Sequence, residues 1–180
     1  MPQLPNRKSN RLSNYDYSNA GAYFITICSK DRKNIFSKIN NAPAVLNSIK
    51  TKLTDLGNII DKQWRDISNQ YDNVDIDEFI IMPNHIHGII IINKRTVGTG
   101  ASPVPTALSK IIDAFKSKCS MEYLKYIKEN KLNASGQIWQ RSFYDHVIRN
   151  AKSFHKIREY IMNNPLNWDK DKNNINENRY

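Results

Sequence analysis

The chain has 180 residues, 39% hydrophobic and 24% charged, which is enough apolar content for one core and thin for two. Its 27 Lys and Arg outnumber 17 Asp and Glu, so the formal net charge is +10 and a polyanion, nucleic acid first, is the expected partner. Two distant cysteines, Cys28 and Cys119, exclude a disulfide framework and fit a reducing cytoplasm; no run approaches the roughly 18 apolar residues of a membrane helix, and no secretory leader is expected.

The opening MPQLPNRKSNRLSNYDYSN (about 1–19) is polar and basic, an arm carrying Arg7, Lys8 and Arg11. GAYFITICS (Gly21 to Ser29) is aromatic and β-branched and predicts a strand. From about Pro43 to Asn69, Val45, Ile49, Leu53, Leu56, Ile60, Trp64 and Ile67 recur at steps of three or four, which predicts an amphipathic helix weakened only by Gly57. NVDIDEFIIMPN then alternates before turning apolar on both faces, and Pro83 and Asn84 form a tight turn into HIHGIIIIN (His85 to Asn93). These two segments predict an antiparallel hairpin, and isoleucine on both faces of the second places it inside a sheet covered on both sides.

KRTVGTGASPVP is rich in Gly and Pro and is the candidate mobile loop. A second helix is predicted from about Thr106 to Asn130, with Leu108, Ile111, Ile112, Phe115, Cys119 and Tyr123 as its stripe. Phe143, Asp145 and Val147 alternate with Tyr144, His146 and Ile148 in a short strand, and a last helix runs from about Lys152 to Asn163 until Pro165 stops it. The tail DKDKNNINENRY (about 169–180) is polar and is expected to fray. One domain results, in the order strand, helix, two strands, helix, strand, helix. That order predicts an α+β fold, a ferredoxin-like antiparallel sheet packed with helices.

The functional signal begins with two imidazoles in an isoleucine run. On a strand His85 and His87 share a face while Ile86 points opposite, so the rings stand about 7 Å apart along the backbone and can converge on one ion. A hydrogen-bonded histidine pair is the plainer alternative. No Cys or further His lies at zinc-finger spacing, so a closed structural zinc site is not expected. Asp75, Asp77 and Glu78 on the preceding strand, or amides of the last helix, are open as oxygen ligands, and such a set suits Mg²⁺ or Mn²⁺. On that last helix Lys156, Tyr160 and Asn164 form one row at a spacing of four, opposite Phe154, Ile157 and Ile161.

FIIMPNHIHGIII, WQRSFYDHVIRN and REYIMNNPLNW, in this order and spacing, resemble the REP-associated, single-tyrosine HUH transposases, relatives of the smallest insertion-sequence transposases. The resemblance runs from about Gly21 to Trp168. It implies that His85 and His87 hold a divalent metal, that Tyr160 is a nucleophile forming a 5′-phosphotyrosine, and that Asn164, or its neighbour Asn163, completes the metal site. It also implies single-stranded, hairpin-containing DNA as partner, bound by a monomer or a homodimer. Arg7, Lys8, Arg11, Lys116, Lys118, Arg141, Arg149 and Lys156 are candidates for DNA phosphates, and Trp139, Phe143 and Tyr144 for stacking on bases. Lys156 could also favour the phenolate of Tyr160. Two other readings stay open, a hairpin-binding protein without catalysis and a metal-dependent hydrolase with a water nucleophile.

Overall fold

The computed structural model describes residues 19–39, 51–94 and 107–174. Arg7, Lys8 and Arg11 and the Gly/Pro-rich loop after Lys94 therefore lie outside the described residues. Strand β1 (Gly21–Cys28) is followed by a small ribbon of β2 (Ser37–Ile39) and β3 (Thr51–Leu53), then α1 (Asp55–Arg65) and the short α2 (Ile67–Gln70). The hairpin of β4 (Val74–Ile81) and β5 (His85–Ile92) comes next, then α3 (Leu108–Glu129), β6 (Tyr144–Ile148) and α4 (Ala151–Asn163). The main sheet has the order β4-β5-β1-β6, antiparallel throughout. With the small ribbon set aside, this is the β-α-β-β-α-β ferredoxin-like plan.

The helix expected from Pro43 is corrected. It starts at Asp55, and Thr51–Leu53 form a strand in the β2–β3 ribbon; residues 43–50 lie outside the described set. The start is marked by Thr54, whose hydroxyl accepts a hydrogen bond from Gly57 N at 3.0 Å and itself donates to the carbonyl of Ile35. Gly57 is a fitted part of this helix. A Cβ there would lie 2.1 Å from the carbonyl oxygen of Phe36, so only glycine lets the helix approach that backbone.

The sheet is covered on both faces, as the isoleucine run required. Tyr23, Ile25, Ile27, Ile86, Ile90 and Val147 point into a core closed by Ile60 and Trp64 of α1 and Ile112 and Phe115 of α3. On the other face Ile89 and Ile148 pack with Ile161 of α4, flanked by Phe24, Phe154 and Ile157. Arg158 ties α4 to the bulged part of β4 through Asp77 at 2.9 Å and, more loosely, Glu78 at 4.0 Å.

Gly88 belongs to the α1/α3 face of β5. A Cβ there would lie 2.3 Å from Cζ2 of Trp64, a ring that is fully buried and has no room to retreat. Gly88→Ala is therefore expected to destabilise the fold by about 1–3 kcal/mol, the range of overpacked cores. Urea unfolding checks this, and an unchanged midpoint would show that the indole can shift.

The tail expected to fray does not do so as far as Asn174. Pro165 stops α4 and opens a 3₁₀ helix, Pro165–Lys170, a position where its missing N–H costs nothing. The chain then returns to the sheet. Asn84 of the β4–β5 turn donates its amide to Asn173 O at 2.8 Å and to Arg32 O at 3.1 Å, and Arg32 donates to the side chain of Asn173.

Candidate active site

The alternation of β5 sends His85 and His87 toward α4, with ring centroids 4.4 Å apart. Both are buried, at 0% and 1% exposure. Each is fixed on its Nδ1 side. His85 Nδ1 meets the Asn84 side-chain oxygen at 2.9 Å, and His87 Nδ1 meets Thr26 Oγ1 at 2.9 Å. The Nε2 atoms are thereby turned toward α4 and the returning tail. Burial, and the nearby Arg32 and Lys172, push the His85 pKa down to about 3. Burial and His85 hold His87 well below its ordinary value. Both rings are neutral at physiological pH, the form that offers a lone pair.

Helix α4 begins at Asn150, whose side chain accepts from Ser153 N at 2.8 Å. It carries Tyr160 over β5, where the phenol oxygen lies 3.2 Å from His87 Nε2. With His87 neutral, the phenol donates. The ring also sets its edge against Phe24. Burial first and the Asp171 carboxylate second raise the Tyr160 pKa, while a hydrogen bond from Asn164 opposes them. Asn164, one turn on, is 2% exposed, and its amide nitrogen donates to Asp171 Oδ2 at 3.1 Å. Its neighbour Asn163 is exposed.

Asp171 is the residue that sequence reasoning missed. It sits in the segment DKDKNN, which carries only the signature of a solvated tail, and nothing local marks it. Its Oδ2 lies 3.8 Å from His85 Nε2, too far for a hydrogen bond. One ligand atom from each of His85, His87 and Asp171 falls within 4.8 Å of the others. Among the described residues, His85 Nε2 and Asn164 Oδ1 are buried with no hydrogen-bond partner. Buried polar atoms are normally satisfied, so acceptors converging in this way fit a cation between them.

The carboxylates left open as ligands are engaged elsewhere. Asp77 and Glu78 pair with Arg158, and Asp75 accepts from the Asn93 amide at 2.6 Å. A cleft of about 570 Å³ opens over the site, lined among others by Phe24, His87, Tyr144, Tyr160, Lys170 and Lys172. Of the basic residues singled out from sequence, Arg141, Arg149 and Lys156 are exposed but do not line this cleft. Lys116 and Lys118 belong to α3, on the opposite face, and Lys116 donates to the carbonyls of Gln140 and Arg141. Trp139 packs against Phe36 and Phe115, and Phe143 against the same core, whereas Tyr144 stays 45% exposed.

An α+β protein with a ferredoxin-like sheet, two imidazoles on an inner strand and a tyrosine helix above them is thus defined by fold and cleft. A family model described as transposase, IS200 like, matches residues 18–164, and the chain belongs to that family. It is similar to an uncharacterized protein of Haemophilus influenzae strain Rd, at 36% identity over 174 residues and 93% of each chain. A second protein of that strain, provisionally named a REP-associated tyrosine transposase, is 24% identical over 157 residues, 86% of this chain and 77% of its own. Among solved structures, a REP-associated tyrosine transposase bound to a REP hairpin shares the fold, with a TM-score of 0.53 and 19% identity over 90% of this chain and 76% of that one.

Proposed function

We propose that this chain is a REP-associated transposase that cuts and rejoins single-stranded DNA beside a hairpin, with Tyr160 as nucleophile and His85, His87 and Asn164 as ligands of Mg²⁺ or Mn²⁺. One observation carries the reading. The phenol oxygen of Tyr160 lies 3.2 Å from the Nε2 of His87, beside the Nε2 of His85 and the Oδ1 of Asn164, both buried and without a partner among the described residues. The donor set, two neutral imidazoles with amide and carboxylate oxygens, fits a divalent cation.

A bound ion of this kind supplies Lewis-acid polarisation of a phosphate oxygen. The rest is the work of the chain. Thr26 and Asn84 fix the two rings, and Arg158 fixes α4, so the phenol is held in place before any substrate arrives. Lys170 and Lys172 line the cleft and favour a polyanionic strand there. The Tyr160 oxygen bonds to phosphorus as the bond to the 3′ oxygen breaks. The phenol proton leaves to solvent through the open cleft, and the 3′ oxygen takes up a proton from solvent as it departs, leaving a 3′ hydroxyl. The 5′-phosphotyrosine keeps the phosphodiester energy, so a second 3′-OH can reverse the step on a new strand without ATP.

The test is incubation with single-stranded oligonucleotides drawn from the DNA flanking the gene, in Mg²⁺ or Mn²⁺, followed by a denaturing gel. A denaturation-resistant adduct is expected. Binding without an adduct would favour a non-catalytic hairpin binder, and cutting without an adduct a hydrolase with a water nucleophile.

Affinity should fall steeply with salt. With about five phosphate contacts on single strands, the slope of log K against log salt is expected near −3 to −4. Fluorescence anisotropy at several salt concentrations measures it, and a flat response would remove nucleic acid as the partner.

A further inference from the structure

Tyr144 lies in the same cleft as Tyr160, yet the proposed chemistry gives it no part. Its position follows from register. Thr26 of β1 is opposite His87 on one side and opposite Tyr144 on the other. His87, Thr26 and Tyr144 therefore form one row across three strands. At about 4.8 Å per strand, Tyr144 stands about 10 Å from His87, a span of one or two nucleotides of unstacked strand. The burial pattern of β6 points Tyr144 and His146 to the cleft and Asp145 and Val147 to the core.

Tyr144 is also a wall between two cavities. On one side is the cleft with Tyr160. On the other is a smaller cavity of about 160 Å³, lined by Arg32, Gln140, Ser142 and Asn173 as well as Tyr144 and Lys172. That space is below the range of ordinary small-molecule sites, which begins at about 300 Å³, and suits one planar ring rather than a base pair. Its lining presents hydrogen-bonding groups of both kinds. Gln140 and Ser142 donate and accept, and Arg32 offers donors only. The Lys172 ammonium lies 5.8 Å from the Tyr144 ring centroid, on its face. Arg32, which lines this cavity, has a φ of 55°, a left-handed value uncommon for a non-glycine residue. The guanidinium of Arg32 is pinned to Asn173. An exposed aromatic face, a cation above it and a small polar pocket behind it are the parts of a base-binding site.

We propose that Tyr144, Lys172 and the Arg32–Gln140–Ser142 pocket form a nucleobase subsite that seats one unpaired base within two nucleotides of the bond cut by Tyr160. The placement beside that bond rests on the reading given under Proposed function, whereas the capacity to stack an unpaired base does not. Tyr144 supplies the stacking surface, and Gln140 and Ser142 meet the edge of the base.

Two readouts separate the subsite from the chemistry. The first needs no cleavage. A short oligothymidine carrying one 2-aminopurine is titrated with the Tyr160→Phe protein, and its fluorescence is expected to be quenched as the base stacks. Tyr144→Ala should weaken this binding about 5- to 100-fold, the usual loss for one stacked base, and Tyr144→Trp should restore it. Weakening with no rescue by an aromatic residue, or unchanged quenching in Tyr144→Ala, overturns the subsite. The second readout uses the full-length wild-type protein on a strand that forms the adduct, with an abasic site walked through the positions flanking the cut. One position within two nucleotides should lose adduct formation by a similar factor, and Tyr144→Ala should add no further loss there. Penalties that multiply at every position overturn the placement. Failure of the wild type to form an adduct on any strand sinks the transposase chemistry and leaves the quenching result to judge the subsite.

Discussion

Tyr160→Phe is expected to abolish the DNA adduct and leave the fold intact. The substitution removes one oxygen, 44% of the residue is exposed, and its hydrogen bond to His87 is worth about 1 kcal/mol net. The ring keeps its place against Phe24. In the proposed mechanism Tyr160 supplies the attacking atom, so catalysis loses that atom itself. Tyr144, the other tyrosine lining the cleft among the described residues, is about 10 Å along the sheet from His87 by strand spacing. Adduct formation should therefore fall to background, with the melting temperature within a few degrees of wild type. Mass spectrometry of the wild-type adduct should place the nucleotide on the peptide containing Tyr160. A nucleotide on Tyr144, or wild-type cutting by Tyr160→Phe, would reassign the nucleophile.

The second large effect concerns the ion. His85→Ala is expected to weaken Mn²⁺ binding at least about 100-fold, because loss of a partner one shell out already costs 10- to 100-fold and His85 is proposed as a direct ligand. Isothermal titration without DNA reads this apart from activity. Asn164→Ala should shift the same curve by less, since an amide oxygen is a weaker ligand than an imidazole. Hairpin binding should survive both changes, because the proposed ion contacts the cut strand and not the stem. Unchanged Mn²⁺ affinity in His85→Ala would sink the metal role and leave the histidines as a hydrogen-bonded pair.

Local periodicity made most of this fold legible. The two-residue repeat of β5 told which way His85 and His87 face, and its isoleucines told that both sides of the strand are covered. The four-residue repeat of α4 put Tyr160 and Asn164 in one row. The β2–β3 ribbon was illegible because Val45, Ile49 and Leu53 continue the spacing of Leu56, Ile60 and Trp64, so a helical pattern ran across a strand. The start marker was Thr54, and it outweighs periodicity because it satisfies an amide at the helix end. The carboxylates of β4 carry no local sign that they are engaged, because the partner of two of them, Arg158, lies on a distant helix. Asp171 was hidden for a similar reason. A charged, asparagine-rich run looks solvated unless a remote partner holds it, and Asn84 is that partner through Asn173.

The bonds between Asn84 and Asn173, Arg32 and Asn173, and Tyr160 and His87 span 89, 141 and 73 positions along the chain. Among the described residues, the 165–174 segment contributes to neither hydrophobic cluster and is held to the sheet by polar bonds, whereas the sheet core is complete without it. Stability is then uneven, with amides of β1 and β5 opening only with global unfolding and the 165–174 segment opening at a lower free energy. In hydrogen exchange that segment should label first. On gentle heating the cleft would lose its shape, and with it the proposed strand transfer, while the circular dichroism of the sheet is still native.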